Sequence, residues 1–234
     1  MLATPEFLFI HLHKTGGQFV NRLLLQHYPR TRAIGYHLPR SEAPAELKPL
    51  PAFAFTRNPW DWYVSWYAFN AATPRRNPIF RAVSEQGSAN FYDTINNLLH
   101  LGHPLLSDMR EEIALALPED REGNQGSGIT RQAMRKFTDP DAGYLSWLTR
   151  YMCFSGGSSV GLRMGHMEQL RTDLPLLIEA CGGDMNPGLA EAIASTPAVN
   201  ASPRRDYREY YDQELRELVA ERDWTIVESY NYSF

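Results

Sequence analysis

The run Phe7-Leu8-Phe9-Ile10-His11-Leu12 leads directly into His13-Lys14-Thr15-Gly16-Gly17, and this junction restricts the fold more than any other segment. A short apolar run with breaks on either side reads as a strand buried on both faces. Phe19, Val20, Leu23, Leu24 and Leu25 come next at helical spacing. Strand, tight turn and helix together open an α/β layout. A helix N-terminus presents unpaired N–H groups and a partial positive charge, which suits a phosphate. The glycines let the backbone approach such an anion, and Lys14 adds a point charge. An ordinary glycine turn with a surface lysine has the same letters, so this segment alone does not decide its chemistry.

Thr31–Tyr36 reads as a second short strand ending at His37 and Pro39, and Ser41 as the cap of a brief helix through Ala45-Glu46-Leu47. Pro51–Thr56 is another buried strand. Pro59 suits the opening of the next helix, which carries Trp62, Val64, Ser65, Trp66 and Phe69. Three strand–helix pairs in succession predict a parallel sheet with helices on its faces. Helical patterns recur at Asn90–His100 and Asp108–Leu117. The polar, Gly-rich stretch Glu119–Asp139 is long enough to be a lid, a binding loop or a disordered segment. Order returns at Tyr144–Phe154. A strand is expected at Val160–Met164, then a helix from Glu168 to Ala180 stopping at Gly182-Gly183. Tyr207–Val219 reads as a charged amphipathic helix, and a short helix ends near Tyr230.

The bulk numbers exclude several classes. With 234 residues, 43% of them hydrophobic, the chain can bury one sizeable core but hardly two. A net charge of −4 argues against a dedicated nucleic-acid binder. Cys153 and Cys181 cannot form a disulfide framework and match no metal-ligand spacing. Glu6 interrupts any signal-like apolar start, and no window approaches the roughly 20 apolar residues of a membrane span. A soluble, cytoplasmic protein is expected.

The turn at Lys14 is not a Walker A loop. That motif places its Lys after the glycines, and no apolar strand ending in Asp comes later in this chain to hold magnesium. The second motif is Arg57-Asn58-Pro59-Trp60-Asp61 through Ser65-Trp66-Tyr67. Arg57 stands where a strand ends, the ligand-binding edge of an open parallel sheet. An Arg there and a hydroxyl two helical turns later suit one phosphate gripped from two sides.

Taken together, the two motifs resemble those of sulfotransferases that use 3′-phosphoadenosine 5′-phosphosulfate (PAPS). His11–Gly17 is similar to their 5′-phosphosulfate loop, and Phe55–Asp61 with Ser65-Trp66-Tyr67 to their 3′-phosphate motif. Weaker likenesses lie at Arg163–Asp173 and in the tail, which resembles bacterial carbohydrate-type members. Gln18 and Phe19 stand where the family usually has Thr and Ser, His13 replaces a usual Pro, and His166 an Arg. The resemblance implies a P-loop-like three-layer α/β fold with a central parallel sheet and helices on both faces. A mostly helical middle insertion, about residues 70–150, would serve acceptor binding within a single domain spanning 1–234.

The resemblance also implies roles. Lys14 would neutralise charge on the leaving phosphate oxygen. Thr15, Gly16, Gly17, Gln18 and Phe19 would line the 5′-phosphate, Arg57 and Ser65 the 3′-phosphate, and Arg204 or Arg205 would close over the donor. PAPS is then the co-substrate and adenosine 3′,5′-bisphosphate the product, with no metal. His37 is the candidate general base, with Glu42 the nearest substitute; the acceptor would be a carbohydrate or a small natural product. Arg75-Arg76 and the Gly-rich loop are the natural place for its recognition. Two other readings share the turn: a P-loop small-molecule kinase, and a nucleotide-binding scaffold without turnover.

Overall fold

The computed structural model describes residues 1–72, 77–121, 127–154, 161–197 and 205–234. They carry, in chain order, β1 (Leu2–Ala3), β2 (Leu8–Phe9), α1 (Gly17–His27), β3 (Arg32–Ala33), β4 (Ala52–Thr56), α2 (Pro59–Ala71), α3 (Pro78–Val83) and α4 (Phe91–Leu99). Then come α5 (Ser107–Ala116), α6 (Arg131–Arg135), α7 (Tyr144–Thr149), β5 (Leu162–His166), α8 (Leu170–Ala180), α9 (Pro187–Ser195), α10 (Gln213–Arg222) and α11 (Trp224–Ser229). The class is α/β. The described residues form two compact units that alternate along the sequence. The first comprises 1–57, 127–128, 149–154 and 161–197, and the second 58–72, 77–121, 129–148 and 205–234.

The first unit holds the sheet, in the order β3-β1-β2-β4-β5. β2, β4 and β5 are parallel, with Phe9 opposite Phe53 and Ala52–Thr56 in step with Leu162–His166. β1 is antiparallel to both β2 and β3. The expected all-parallel sheet is therefore mixed. An N-terminal strand enters between β2 and β3, turned back by Thr4, whose hydroxyl accepts the amides of Glu6 and Phe7 at 3.2 and 3.0 Å. Two residues are too few to show a period, which is why β1 leaves no trace in the pattern. The strand expected at 31–36 shrinks to Arg32–Ala33, both exposed at the sheet edge.

Alternation along the strands puts Phe7, Phe9, Phe53 and Phe55 in one apolar cluster with Phe19, Val20, Leu23 and Leu24 of α1, Leu174, Leu177 and Ile178 of α8, and Leu189 and Ile193 of α9. Phe53 sits 5.3 Å from the rings of both Phe7 and Phe9. The intervening Leu8, Ile10, Ala52 and Ala54 are buried too, as the unbroken apolar runs anticipate. Each large side chain so buried contributes about 1.5–3 kcal/mol.

Proline decides several boundaries. The brief helix expected after Ser41 is two 3₁₀ turns, Arg40–Glu42 and Ala45–Leu47, entered at Pro39 and Pro44 with no side-chain cap. Helices α2, α3 and α9 all start at an Asn-Pro pair: the side chains of Asn58, Asn77 and Asn186 accept first-turn amides, and the Pro takes the position whose N–H has no partner. Of these three starts, the sequence reading anticipates that of α2 alone. Asn58→Ala should lower the unfolding free energy by about 1 kcal/mol in urea titration; an unchanged value would show the cap to be dispensable. The expected tail helix begins at Gln213 instead of Tyr207, because the Asp212 carboxylate caps Leu215 at 2.8 Å. α6 lies inside the stretch expected to be a loop. The strand expected at Val160–Met164 is Leu162–His166, and Val160 lies outside the described residues.

The second unit is helical. α2 buries Trp60, Trp62, Tyr63, Val64, Ser65 and Trp66, so the tryptophans of the second motif pack a core. Trp66 meets Phe80 of α3 at 5.6 Å, and Phe137 stacks on Trp147 at 4.7 Å. A buried polar knot crosses this core. Asp223 accepts the Tyr63 hydroxyl at 2.6 Å and the Ser146 amide at 2.7 Å, while Tyr63 accepts the Leu145 amide at 3.2 Å. Cys153 and Cys181 are buried free thiols, and burial pushes Cys153 up to about 12. Among the described residues no helix is long and apolar enough to cross a membrane.

Candidate functional site

The β2 chain keeps its pairing as far as Ile10, whose amide donates to the Phe53 carbonyl at 2.9 Å. It then turns through Lys14 (φ 59°) and Gly16 (φ 77°), both left-handed. For Lys14 that conformation costs about 1 kcal/mol or more, and two bonds hold it. The Thr15 hydroxyl donates to the Leu12 carbonyl at 3.0 Å, and Arg57 Nη1 donates to the Lys14 carbonyl at 2.9 Å. Arg57 is buried and stands next after the last residue of β4, so it ties the turn to the C-terminal edge of the parallel strands. Turns mixing left-handed residues in this way form concave backbone sites for anions. Gly16 is the N-cap of α1 and offers no side chain to the first-turn amides. An anion there is favoured by those N–H groups and by the helix's partial charge.

Gly17 is glycine for a packing reason. A Cβ at that position would sit 1.9 Å from Cδ2 of the buried His11 ring. The close approach brings the start of α1 against the end of the strand segment, and no other residue allows it.

Of the residues singled out in the sequence, Lys14, Thr15, Gly16, Gly17, Gln18, Phe19, His37 and Arg57 belong to the first unit. Lys14 is half-buried and Thr15 buried; Gln18 is exposed, its amide 3.4 Å from the Tyr36 hydroxyl. The Phe19 ring lies in the apolar cluster, with the Arg171 guanidinium 4.9 Å above it, so only its backbone faces the turn. Glu42 is exposed in its 3₁₀ turn. Ser65 and Arg205 belong to the second unit. Ser65 is buried on α2, and Arg205 is exposed, pairing with Glu209 at 3.7 Å. Arg204, Arg75-Arg76 and residues 122–126 of the Gly-rich loop lie outside the described residues.

What the sequence does not disclose is a group of three histidines. His37 is buried, and its Nδ1 lies 2.7 Å from the His11 carbonyl. A carbonyl only accepts, so Nδ1 carries the proton and the neutral ring keeps its lone pair on Nε2. The His37 ring stacks on His13 with centroids 3.7 Å apart and planes within 8°, and lies 4.2 Å from His11 and 4.4 Å from Tyr36. Asn21 of α1 reaches His11 Nδ1 at 3.1 Å. Ser127 and Gly128, from the stretch expected to be a loop, complete the surroundings. The Ser127 backbone bonds to His13, and Gly128 lies so near the His37 carbonyl that a Cβ there would come within 2.0 Å of it. The Tyr151 hydroxyl holds Gly128 in place at 3.2 Å. Among the described residues no group of three or more His, Cys, Asp or Glu is arranged to hold a metal ion. The alternation His11-x-His13 is visible in the sequence; the arrival of His37 twenty-four residues later is not.

Burial lowers all three, His11 to about 3, His13 to about 4 and His37 well below the usual 6.5; repulsion from neighbouring rings adds to it at His11 and His37, and at His13 the Lys14 charge does so against a bond to the Ser127 backbone. The cluster is neutral at pH 7. Because the folded values lie below the unfolded one, stability is fully present above pH 6.5. It is lost as pH falls from there toward about 4 for His13 and about 3 for His11, by up to about 1.4 kcal/mol per pH unit for each ring. Urea midpoints measured at pH 7.5, 6 and 5 should fall in that order. A flat profile would contradict the buried, neutral cluster.

No family model matches the chain, and neither a curated protein nor a solved structure gives a match.

Proposed function

We propose that this chain is a sulfotransferase that moves a sulfuryl group from PAPS to the hydroxyl of a carbohydrate or small natural product. The observation that carries the reading is the turn at Lys14. It is a left-handed backbone concavity at the uncapped start of α1, tied by Arg57 to the edge where β2 and β4 end. A lysine and a buried arginine thus share one sheet edge, the position where open α/β folds hold a phosphorylated ligand. In this reading β2, β4 and β5 are the nucleotide-binding half of a P-loop-like three-layer fold.

The first-turn amides of α1 hold the donor's 5′-phosphate, and Lys14 balances the charge that grows on its bridging oxygen as the S–O bond breaks. Arg57 holds the 3′-phosphate, a role the sequence motif also gives to Ser65. A sulfuryl group carries less charge than a terminal phosphoryl, so fixed cations suffice for in-line transfer. His37, neutral with its lone pair on Nε2, takes the acceptor proton.

Calorimetry tests the reading. Adenosine 3′,5′-bisphosphate should bind in EDTA, and Arg57→Ala should weaken it by about tenfold or more, the loss of one charge-assisted contact. Binding of ATP only with magnesium, and none of the bisphosphate, would replace the proposal with a kinase. Bisphosphate binding with no sulfuryl transfer to any of a panel of sugar and phenol acceptors would leave a binding scaffold.

A further inference from the structure

We propose that His13 is a positioning residue: its ring lies flat on His37 and, with the His11 carbonyl, fixes His37 as the Nδ1–H tautomer with its lone pair on Nε2. The use of that lone pair in sulfuryl transfer rests on the proposed sulfotransferase function; the positioning itself stands on geometry. Four contacts restrict the His37 ring. Nδ1 is committed to a carbonyl 2.7 Å away, one face is covered by His13 at 3.7 Å, the His11 ring packs tilted against it at 4.2 Å, and Tyr36 meets it edge-on at 4.4 Å. The backbone is fixed as well. His37 is left-handed (φ 46°), and its carbonyl is crowded by Gly128, itself at φ 65° where a side chain would be strained. A lone imidazole exchanges between two tautomers, only one of which presents Nε2 as a base; the carbonyl bond selects that one, and the stack holds the ring in the orientation in which the bond forms.

The Tyr36 phenol faces the His37 ring; the other titratable groups bearing on it among the described residues are cations when protonated, namely His11, His13 and the buried Met1 amino group, with Lys14 acting on His13. Each of these cations favours the neutral ring. In the proposed step the Nε2 lone pair takes the acceptor's hydroxyl proton while the acceptor oxygen bonds to sulfur. The S–O bond to the donor's phosphate breaks, and its electron pair leaves on the phosphate oxygen. The imidazolium afterwards returns its proton to water.

The test is nitrogen-15 spectroscopy of the imidazoles in the full-length chain from pH 5 to 8, with kcat and donor KM measured in parallel. In the unaltered protein His37 should show a protonated Nδ1 and an unprotonated Nε2 throughout. His13→Ala should mix the tautomers and move the His37 titration up toward 6.5. It should also lower kcat about tenfold, within the range that misplacement of a reacting group costs, with donor KM unchanged. His13→Phe keeps a flat ring and should restore both the single tautomer and most of kcat. An Nε2–H tautomer in the unaltered protein, or His37 spectra unmoved in a folded His13→Ala, would overturn the proposal. If His13→Ala does not fold, the unaltered protein and His13→Phe decide it. Expected spectra without any sulfuryl transfer would count against the sulfotransferase reading alone, and contrary spectra in an active enzyme against the positioning alone.

Discussion

Lys14→Ala is expected to reduce sulfuryl transfer about 10²–10³-fold, the usual consequence of removing one preorganised group that meets charge developing in the transition state. Its effect on stability should be small, within about 0.5 kcal/mol. The Arg57 bond goes to the Lys14 backbone carbonyl, so it survives the truncation, and alanine tolerates the left-handed conformation no better and no worse than lysine. Lys14→Gly separates the two effects. Glycine relieves the backbone strain, so this variant should be as inactive as the alanine one yet more stable by up to about 1 kcal/mol. Single-turnover measurements distinguish a lost catalyst from a lost anchor: a fall in kcat with little change in donor KM marks a group that acts in the transition state. A Lys14→Ala protein retaining turnover within about threefold of the original would remove Lys14 from the mechanism.

The largest effect on stability should come from Asp223→Ala, at about 3–5 kcal/mol. The carboxylate is fully buried and accepts from both Tyr63 and Ser146. Truncation leaves a buried hydroxyl and a buried amide without an acceptor, each costing about 1–3 kcal/mol, and a small void beside Gly143. All five tryptophans (Trp60, Trp62, Trp66, Trp147, Trp224) belong to the second unit, so fluorescence during urea unfolding reports on this region. Asp223→Asn should lose less than the alanine variant, since its carbonyl oxygen still accepts from Ser146. A loss below about 1 kcal/mol for Asp223→Ala would mean the knot is not what holds α11 to α7.

Asp223 also carries a pH signature opposite to that of the histidines. Burial raises it from 3.8 to about 6, so the folded state binds its proton first. It therefore contributes stability that is fully present below pH 3.8 and is lost as pH rises through 6. Three depressed histidines oppose one raised carboxyl, and the net expectation is still loss of stability toward acid. In Asp223→Asn that opposition is absent, and the acid loss should steepen.

Local chemistry explains which parts of this architecture can be read without coordinates. The β2–α1 junction is legible because an apolar run, two glycines and a helical apolar period occupy adjacent windows. The helix starts at Asn77 and Asn186 carry the same Asn-Pro signature as Asn58, and reading the pair as a cap would have placed α3 and α9. β1 offers nothing comparable, because a two-residue strand is defined by its partners Phe9 and Ala33 and not by its own composition. The tryptophan-rich segment after Arg57 is ambiguous in the same way: the letters suit a ligand-facing helix, yet burial of Trp60, Trp62 and Trp66 assigns those rings to a core.

The sequence by itself determined the strand, turn and helix around Lys14, the second buried run at Pro51–Thr56 and the presence of Arg57 at its end. These depend on contacts between near neighbours and on a side-chain period that one strand or helix displays alone. Only the tertiary structure decided that β1 makes the sheet mixed, that Arg57 clamps the Lys14 carbonyl, and that His37 is delivered onto His13 under Gly128. Each of those joins residues far apart in the chain, and such a contact is fixed by the packing of whole elements, which no single window of sequence contains.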